Sequence, residues 1–423
     1  MKYAVAISLA LAGALSLACG GDDPVVVVNQ PPTIAFTFNQ LGVQRNVPVN
    51  LSVSVSDPDE GDALAVSWSI TRGPLTPMNP AKTIMQWLPP DETGADTVVV
   101  TVSDGEASAQ VVEPIYVATR QSNNDAPAVY EIVDSPFLIS PSAEQLLVPE
   151  GGSTVIDAGV MLLIDKEGIE LQVLGTLDVQ GTADAPVVIR PNDRTLQCQS
   201  GRGWWAGIHV RSGIVSSGHM NLSHAEVRYG ETNVLVSEGA TAVISDSRLV
   251  CGLDAGAKMA GNRWMRLERC EIASNASYGV DIYGIASNPD SVTILWNTIA
   301  FNGNTGIHMQ LDDTSQEARI TVARNRLEFN ATNGILLEQS VFPDIHQNHF
   351  AFNGHGGTLM NLRLRAYPGT VPFDTLDATL NYWGASFANP TGIENTVYDS
   401  LDDPTTIGTR VKVDPWLNTS PTP

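Results

Sequence analysis

Apolar and polar residues alternate with a period of two along most of this chain, which predicts strands rather than helices. In the C-terminal half the alternation sits inside a recurring phrase, Asn-x-hydrophobic-x-Phe-Asn, with Gly and an aliphatic beginning four residues on. It spans 297–302 with Gly306-Ile307, 325–330 with Gly334-Ile335 and 348–353 with Gly357; a degenerate copy spans 270–275 with Gly279-Val280. Successive copies lie 27, 28 and 23 residues apart, a repeat period that implies a solenoid. Stacking the copies predicts columns. Val227, Leu249, Ile272, Ile299, Leu327, Phe350 and Trp383 make one inward apolar column, and Tyr229, Cys251, Ser274, Phe301, Phe329 and Phe352 a second. Asn275, Asn302, Asn330 and Asn353 follow where the strand turns. Asparagine tolerates left-handed backbone, and stacked amides can hydrogen-bond along the solenoid at the strand spacing of about 4.8 Å. Glu226, Arg248, Glu271, Thr298, Arg326, His349 and Tyr382 form an outward column between the inward positions.

The pattern differs nearer the N-terminus. Alternating segments at 49–55, 64–70 and 97–102 are punctuated by turn clusters such as Asp57-Pro58-Asp59-Glu60-Gly61-Asp62 and Asp104-Gly105. This predicts one small antiparallel β-sandwich over 33–118. The fold class is therefore all-β: a sandwich followed by a right-handed, single-stranded parallel β-helix over 140–417. Residues 119–139 are expected as a linker, 20–32 as a stalk and 418–423 as a tail.

Two resemblances sharpen these expectations. The phrase Ser56-Asp57-Pro58-Asp59-Glu60-Gly61-Asp62, with Val102-Ser103-Asp104-Gly105, resembles bacterial cadherin-like and immunoglobulin-like modules of cell-surface proteins. That resemblance implies Ca²⁺, a cation that takes six to eight oxygens from flexible loops, held by Asp57, Asp59, Asp62, Asp104 and, in the inter-module sequence Asn123-Asn124-Asp125-Ala126-Pro127, Asp125. The same carboxylates also suit Asx-turns that cap their own backbone. The segment 171–189, Trp204-Trp205-Ala206-Gly207-Ile208 and the ending Asn381-Tyr382-Trp383-Gly384 resemble bacterial parallel β-helix repeat proteins of the pectin-lyase-like kind. This second resemblance covers about two thirds of the chain. It speaks for fold and hardly for activity.

Charge and targeting narrow the setting. Lys2, the apolar run from Ala4 to Leu17 and Ser16-Leu17-Ala18-Cys19 resemble a bacterial lipoprotein signal over 1–19, with Cys19 as the lipidated residue; an ordinary secretory signal is the other reading. Gly20 after the cysteine points to an outer-membrane lipoprotein facing the periplasm or the cell surface. No other segment is long and apolar enough to span a bilayer. A net charge of −23 excludes a nucleic-acid partner and suits divalent cations. Beyond Cys19 the chain has Cys198, Cys251 and Cys270; the sequence favours a Cys251–Cys270 disulfide, with buried free thiols as the alternative.

Candidate chemistry is sparse. The outward residues Glu226, Arg248, Glu271, Arg326 and His349 make either a surface ion ladder or a groove for a glycan. Asp312-Asp313 and Gly354-His355-Gly356 resemble elements of polygalacturonases, but the family's Asn-Thr-Asp and Arg-Ile-Lys elements are missing. A lyase of the pectate type needs a basic residue against a uronate; Arg324, Arg326, Arg363 and Arg365 are the candidates, with Asp312 and Asp313 on the preceding coil, while His355 belongs with Asp312 and Asp313 to the hydrolase reading. Phosphate loops, zinc motifs and nucleophile elbows are absent from the sequence. The sequence thus points to a non-catalytic envelope lipoprotein that binds a polysaccharide or a cell-surface protein, with polysaccharide lyase or glycoside hydrolase as the competing class.

Overall fold

Each turn of the repeat folds into three short strands, and each strand hydrogen-bonds to its counterpart one turn away. The computed structural model describes residues 28–421 apart from 60, 238, 262–263, 285–291, 312–319, 340, 356, 358, 366–374, 386–388 and 406. A representative coil runs Val292–Leu295 in the first sheet, Thr298–Ala300 in the second and Thr305–Leu311 in the third. All three pair parallel with both neighbouring coils. The third sheet holds ten such strands and the first holds nine among the described residues. The interior is the predicted column: Val227, Leu249, Ile272, Ile299, Leu327, Phe350 and Trp383 are each at most 1% exposed.

The corners of the coil depart from expectation in an instructive way. Tyr229, Cys251, Ser274, Phe301, Phe329 and Phe352 do not point inward; all six have positive φ, between 55° and 67°. Second-sheet strands in these repeats are only three residues long, so the alternation stops before it reaches this column, and the left-handed residue swings its side chain out. Phe301 and Phe352 are more than half exposed, and the phenylalanine rings stack face to face at 5.1 Å. The left-handed residue at this corner is thus the one before the asparagine. Asn275, Asn302, Asn330 and Asn353 turn inward and form a ladder: each Nδ2 donates to the next Oδ1 at 2.9–3.0 Å. The same device operates at the corner between the first and second sheets. There Trp296, Arg324, Gln347 and Leu380 are left-handed, and the next residues, Asn297, Asn325, Asn348 and Asn381, form a second buried ladder with spacings of 3.0, 3.0 and 3.1 Å.

A non-glycine residue in the left-handed region costs roughly 1–2 kcal/mol. The asparagines offset this by satisfying buried backbone groups: Asn330 Nδ2 also donates to Ile299 O, and its Oδ1 accepts from Asn302 N. Such groups left unpaired inside the solenoid would each cost about 1–3 kcal/mol.

The N-terminal region forms two facing sheets. Thr33–Phe36, Val49–Ser56, Ile84–Trp87 and Leu75–Pro77 make one; Ala65–Ile70, Gly94–Ser103 and Ser108–Gln121 belong to the other. Leu51, Trp87, Val100 and Ile115 are fully buried between them. The expected linker at 119–139 is instead the opening of the solenoid. The end of Ser108–Gln121 pairs parallel with Phe137–Ile139, and Val129–Tyr130 pairs parallel with Ser153–Ile156, so one sheet runs continuously from the N-terminal region into the β-helix. The physical reason is apolar content: Tyr130, Leu138 and Ile139 are buried, which a solvated tether would not allow. Arg194 clamps the junction, donating to Gln40 O at 2.7 Å and to Glu113 Oε2 at 2.8 Å. Asn192 brackets Gly42 through both its backbone N–H and C=O.

The cysteine pairing also differs. Cys251 is bonded to Cys198, with Cα atoms 5.0 Å apart, and Cys270 is free. Cys251 belongs to the outward left-handed column, whereas Cys270 takes the inward ladder position of the other corner, so their side chains leave opposite sides of the wall. Burial pushes the Cys270 thiol up to about 12. The bond pins the 193–206 segment over the corner, together with Tyr229 Oη donating to Leu196 O and Arg202 donating to Ser274 O.

The inward and outward assignments predict unequal costs. Asn330→Ala should lower the unfolding free energy by about 3 kcal/mol, whereas Phe352→Ser, at an exposed position, should cost about 1 kcal/mol or less. Urea denaturation of both variants checks this; comparable losses would contradict the corner geometry.

Candidate functional site

The outward column of the second sheet forms in the predicted register, with Glu226, Arg248, Glu271, Thr298, Arg326 and His349 side by side on successive strands. Its charges are spent on one another. Arg248 lies 2.5 Å from Glu226 and 2.8 Å from Glu271; Arg326 lies 2.8 Å from Glu328 on its own strand. His349 packs edge-on against Tyr382 at 4.9 Å and meets Ser420 Oγ at 3.0 Å; burial and the neighbouring Arg326 lower its pKa. The geometry is that of the ion ladder, each exposed pair of which contributes little.

A denser constellation lies on the third sheet, of which sequence reasoning singled out only Arg363 and Arg365 and missed Lys258, Asp281 and His308. Lys258, Asp281, His308, Leu336 and Arg363 occupy one outward column on successive strands. Lys258 Nζ sits 2.6 Å from Asp254 and 3.0 Å from Asp281. The other oxygen of Asp281 meets His308 Nδ1 at 2.8 Å. His308 Nε2 stands 3.8 Å from Glu338, beyond hydrogen-bond range, and Glu338 is held by Arg365 at 3.0 Å. Two tyrosines frame this chain of groups. Tyr278 stacks on the His308 ring at 4.8 Å, and Tyr283 lies under the Lys258 ammonium at 5.0 Å.

Burial decides how these groups behave. Asp281 and His308 side chains are 6% and 9% exposed, so their hydrogen bond is shielded from water. Desolvation opposes the Lys258 charge, but hydrogen bonds to Asp254 and Asp281 outweigh it and raise the pKa. The ammonium therefore stays protonated and cannot serve as a base. Burial, with Asp281, Glu338 and Asp254 nearby, likewise raises the Tyr278 pKa. The signal was present in the sequence: each of Asp281 and His308 directly follows the Gly-aliphatic pair of its repeat. Aligning the copies one strand further would have found the column.

Of the residues suggested for catalysis, Arg363 lies in this column and Arg365 holds Glu338, whereas Arg324, Arg326 and His355 lie elsewhere. Arg324 lies at the first corner, over the Trp296 ring at 4.7 Å and bonded to Gln347 at 2.7 Å. Arg326 faces out from the second sheet, and His355 is exposed just after the phenylalanine corner. Asp312 and Asp313 lie outside the described residues.

Of the carboxylates proposed for Ca²⁺, Asp57, Asp59 and Asp62 each offer an oxygen within 4.8 Å of the others. Asp57 Oδ2 is buried and has no hydrogen-bond partner, which suits a hard cation. Asp59 also accepts from Gln30 N at 2.6 Å. Asp104 and Asp125 are not part of this group. Asp104 Oδ1 accepts from the backbone N–H groups of Glu106 and Ala107, and these bonds keep its pKa low despite some desolvation. Asp125 forms a backbone bridge to Leu147.

Comparison with known proteins supports the solenoid. A family model described as a right-handed beta helix region matches residues 202–350. Neither a curated protein nor a solved structure matches the chain significantly. The match covers both asparagine ladders except their last members, Asn353 and Asn381, and the long parallel sheets extend beyond it in both directions. The chain therefore contains a right-handed parallel β-helix domain.

Proposed function

We propose that this chain is a non-catalytic binding protein of the cell envelope that holds an uncharged, hydroxyl-rich glycan on the third sheet of its β-helix. The carrying observation is the chain Asp254, Lys258, Asp281 and His308, framed by Tyr278 and Tyr283. Three carboxylates there, Asp254, Asp281 and Glu338, are balanced by Lys258, Arg363 and Arg365. Such a face offers donors and acceptors at strand spacing without net charge, which suits hydroxyls better than an ionic ligand. Screening the mature protein against neutral and uronate polysaccharides tests this. A neutral glycan should bind, and Tyr283→Ala should weaken binding about tenfold, the loss expected of an aromatic contact residue. Binding of none, by a folded protein, would end the proposal.

The competing reading is a polysaccharide lyase acting on a uronate polymer. It is favoured by one feature: Asp281 orients His308 while Nε2 makes no hydrogen bond among the described residues, an arrangement able to accept a proton. Ultraviolet absorbance from an unsaturated uronate product in the same screen would establish it.

The N-terminal two-sheet region is proposed as an immunoglobulin- or cadherin-like spacer stiffened by Ca²⁺ at Asp57, Asp59 and Asp62. Ca²⁺ at about 1 mM, the affinity range of extracellular modules, should raise the melting temperature, and Asp57→Asn should abolish the rise. An unchanged melting curve at several times that concentration would remove the metal from the account. We also infer attachment to the outer membrane through lipid on Cys19. Cys19→Ser should move the protein from the membrane to the soluble fraction of a lipoprotein-processing bacterial host; an unaltered distribution would refute the anchor.

A further inference from the structure

The C-terminal end of the solenoid holds a cavity that neither the repeat nor the third-sheet face accounts for. Strand Arg410–Lys412 pairs parallel with Thr375–Asp377, placing Arg410 beside Thr375 and Lys412 beside Asp377. Strand alternation buries Val411 and Leu376 and leaves Arg410 and Lys412 exposed on one face. These cations, with Glu394, Asp414, Trp416 and the apolar Val413, line a cavity of about 670 Å³. That volume is in the range of small-molecule sites, which span about 300–1,000 Å³.

The two cations set the chemistry of this cavity. In a chain of net charge −23, Lys166, Arg248, Lys258, Arg269 and Arg365 on the solenoid are engaged by carboxylates, whereas Arg190, Arg211, Arg324 and Arg363 form no ion pair among the described residues. Neither Arg410 nor Lys412 forms an ion pair among the described residues. An arginine beside a lysine suits a carboxylate, which the planar guanidinium can grip through two oxygens. Glu394 and Asp414 bring the formal charge of the lining back to zero, so a dianion such as phosphate is disfavoured and a monoanion with hydroxyl donors is preferred. Trp416, half-buried at the rim, supplies a flat apolar surface for a sugar ring. Burial, with Asp399 and Asp402 adding to it, raises the pKa of Glu394 against the opposing pull of Arg410. Its carboxyl is thereby disposed to exchange hydrogen bonds with hydroxyls.

We propose that this terminal cavity binds a carboxylated monosaccharide unit, a hexuronate, with its carboxylate on Arg410 and Lys412, its ring against Trp416 and its hydroxyls toward Glu394 and Asp414. The site is separate from the third-sheet face and holds whether or not a neutral glycan binds there. Calorimetric titration of the mature protein with galacturonate, galactose and inorganic phosphate is the test. Galacturonate should bind at least about tenfold more tightly than galactose or phosphate, a difference of one carboxylate contact set. Arg410→Gln and Lys412→Gln should each weaken galacturonate about tenfold or more, whereas Lys82→Gln, which removes the same charge from the N-terminal region, should leave it unchanged. Both cavity positions are exposed strand residues, so folding should survive, and an unchanged melting curve verifies it. Equal affinity for galactose, competition by phosphate at equal strength, or indifference to both cavity substitutions would overturn the assignment.

Discussion

The β-helix depends on satisfying buried polar backbone at two sharp corners in each coil. A three-residue strand cannot turn twice without left-handed residues, and those residues leave amide and carbonyl groups facing an apolar interior. Two columns of asparagine meet that demand. The amide carries both a donor and an acceptor, so one side chain can bond to its own wall and to the next coil at once. Each ladder therefore closes the corners and sets the stacking register together. Where asparagine is missing, the ladder is continued by other means: Ser247 Oγ accepts from Ala225 N at 3.0 Å, and Cys270 occupies the next step, its N–H donating to Asn297 Oδ1 at 2.9 Å.

Fixed register has consequences on the outside. Once coils are locked in phase, residues a full repeat apart in sequence become nearest neighbours, and like charges would repel at each step. The second sheet resolves this with the Glu226, Arg248 and Glu271 alternation. The third resolves it with Lys258 against Asp281 and then His308. The difference is burial. The second-sheet pairs are partly exposed to water, whereas Asp281 and His308 are shielded, so their hydrogen bond is stronger and their orientation firmer. This contrast between two similar-looking columns is what moves the candidate site from one face to the other.

The same register joins the two halves of the chain. Ser108–Gln121 serves as the last strand of one N-terminal sheet and lends its end to the first coil. This covers an edge that would otherwise expose unpaired backbone groups. Arg194 and Asn192 reach back across the seam, so the N-terminal region continues the solenoid instead of hanging from a tether.

The repeated phrase determined the solenoid, its inward column from Val227 to Trp383, the outward order from Glu226 to Tyr382 and one asparagine ladder. These are periodic properties, and periodicity is what a linear pattern records. It misplaced Phe301, Phe329 and Phe352 because alternation holds only while the backbone stays extended, and a left-handed corner reverses the side chain without a mark in composition. It paired Cys251 with Cys270 because position along the repeat does not reveal which side of the wall a corner residue leaves. Tertiary structure alone decided these points, along with the contact of Lys258 with Asp254 and Asp281, and the terminal cavity. Each depends on where side chains from different coils point, a geometry that exists only once the asparagine ladders have brought those coils together.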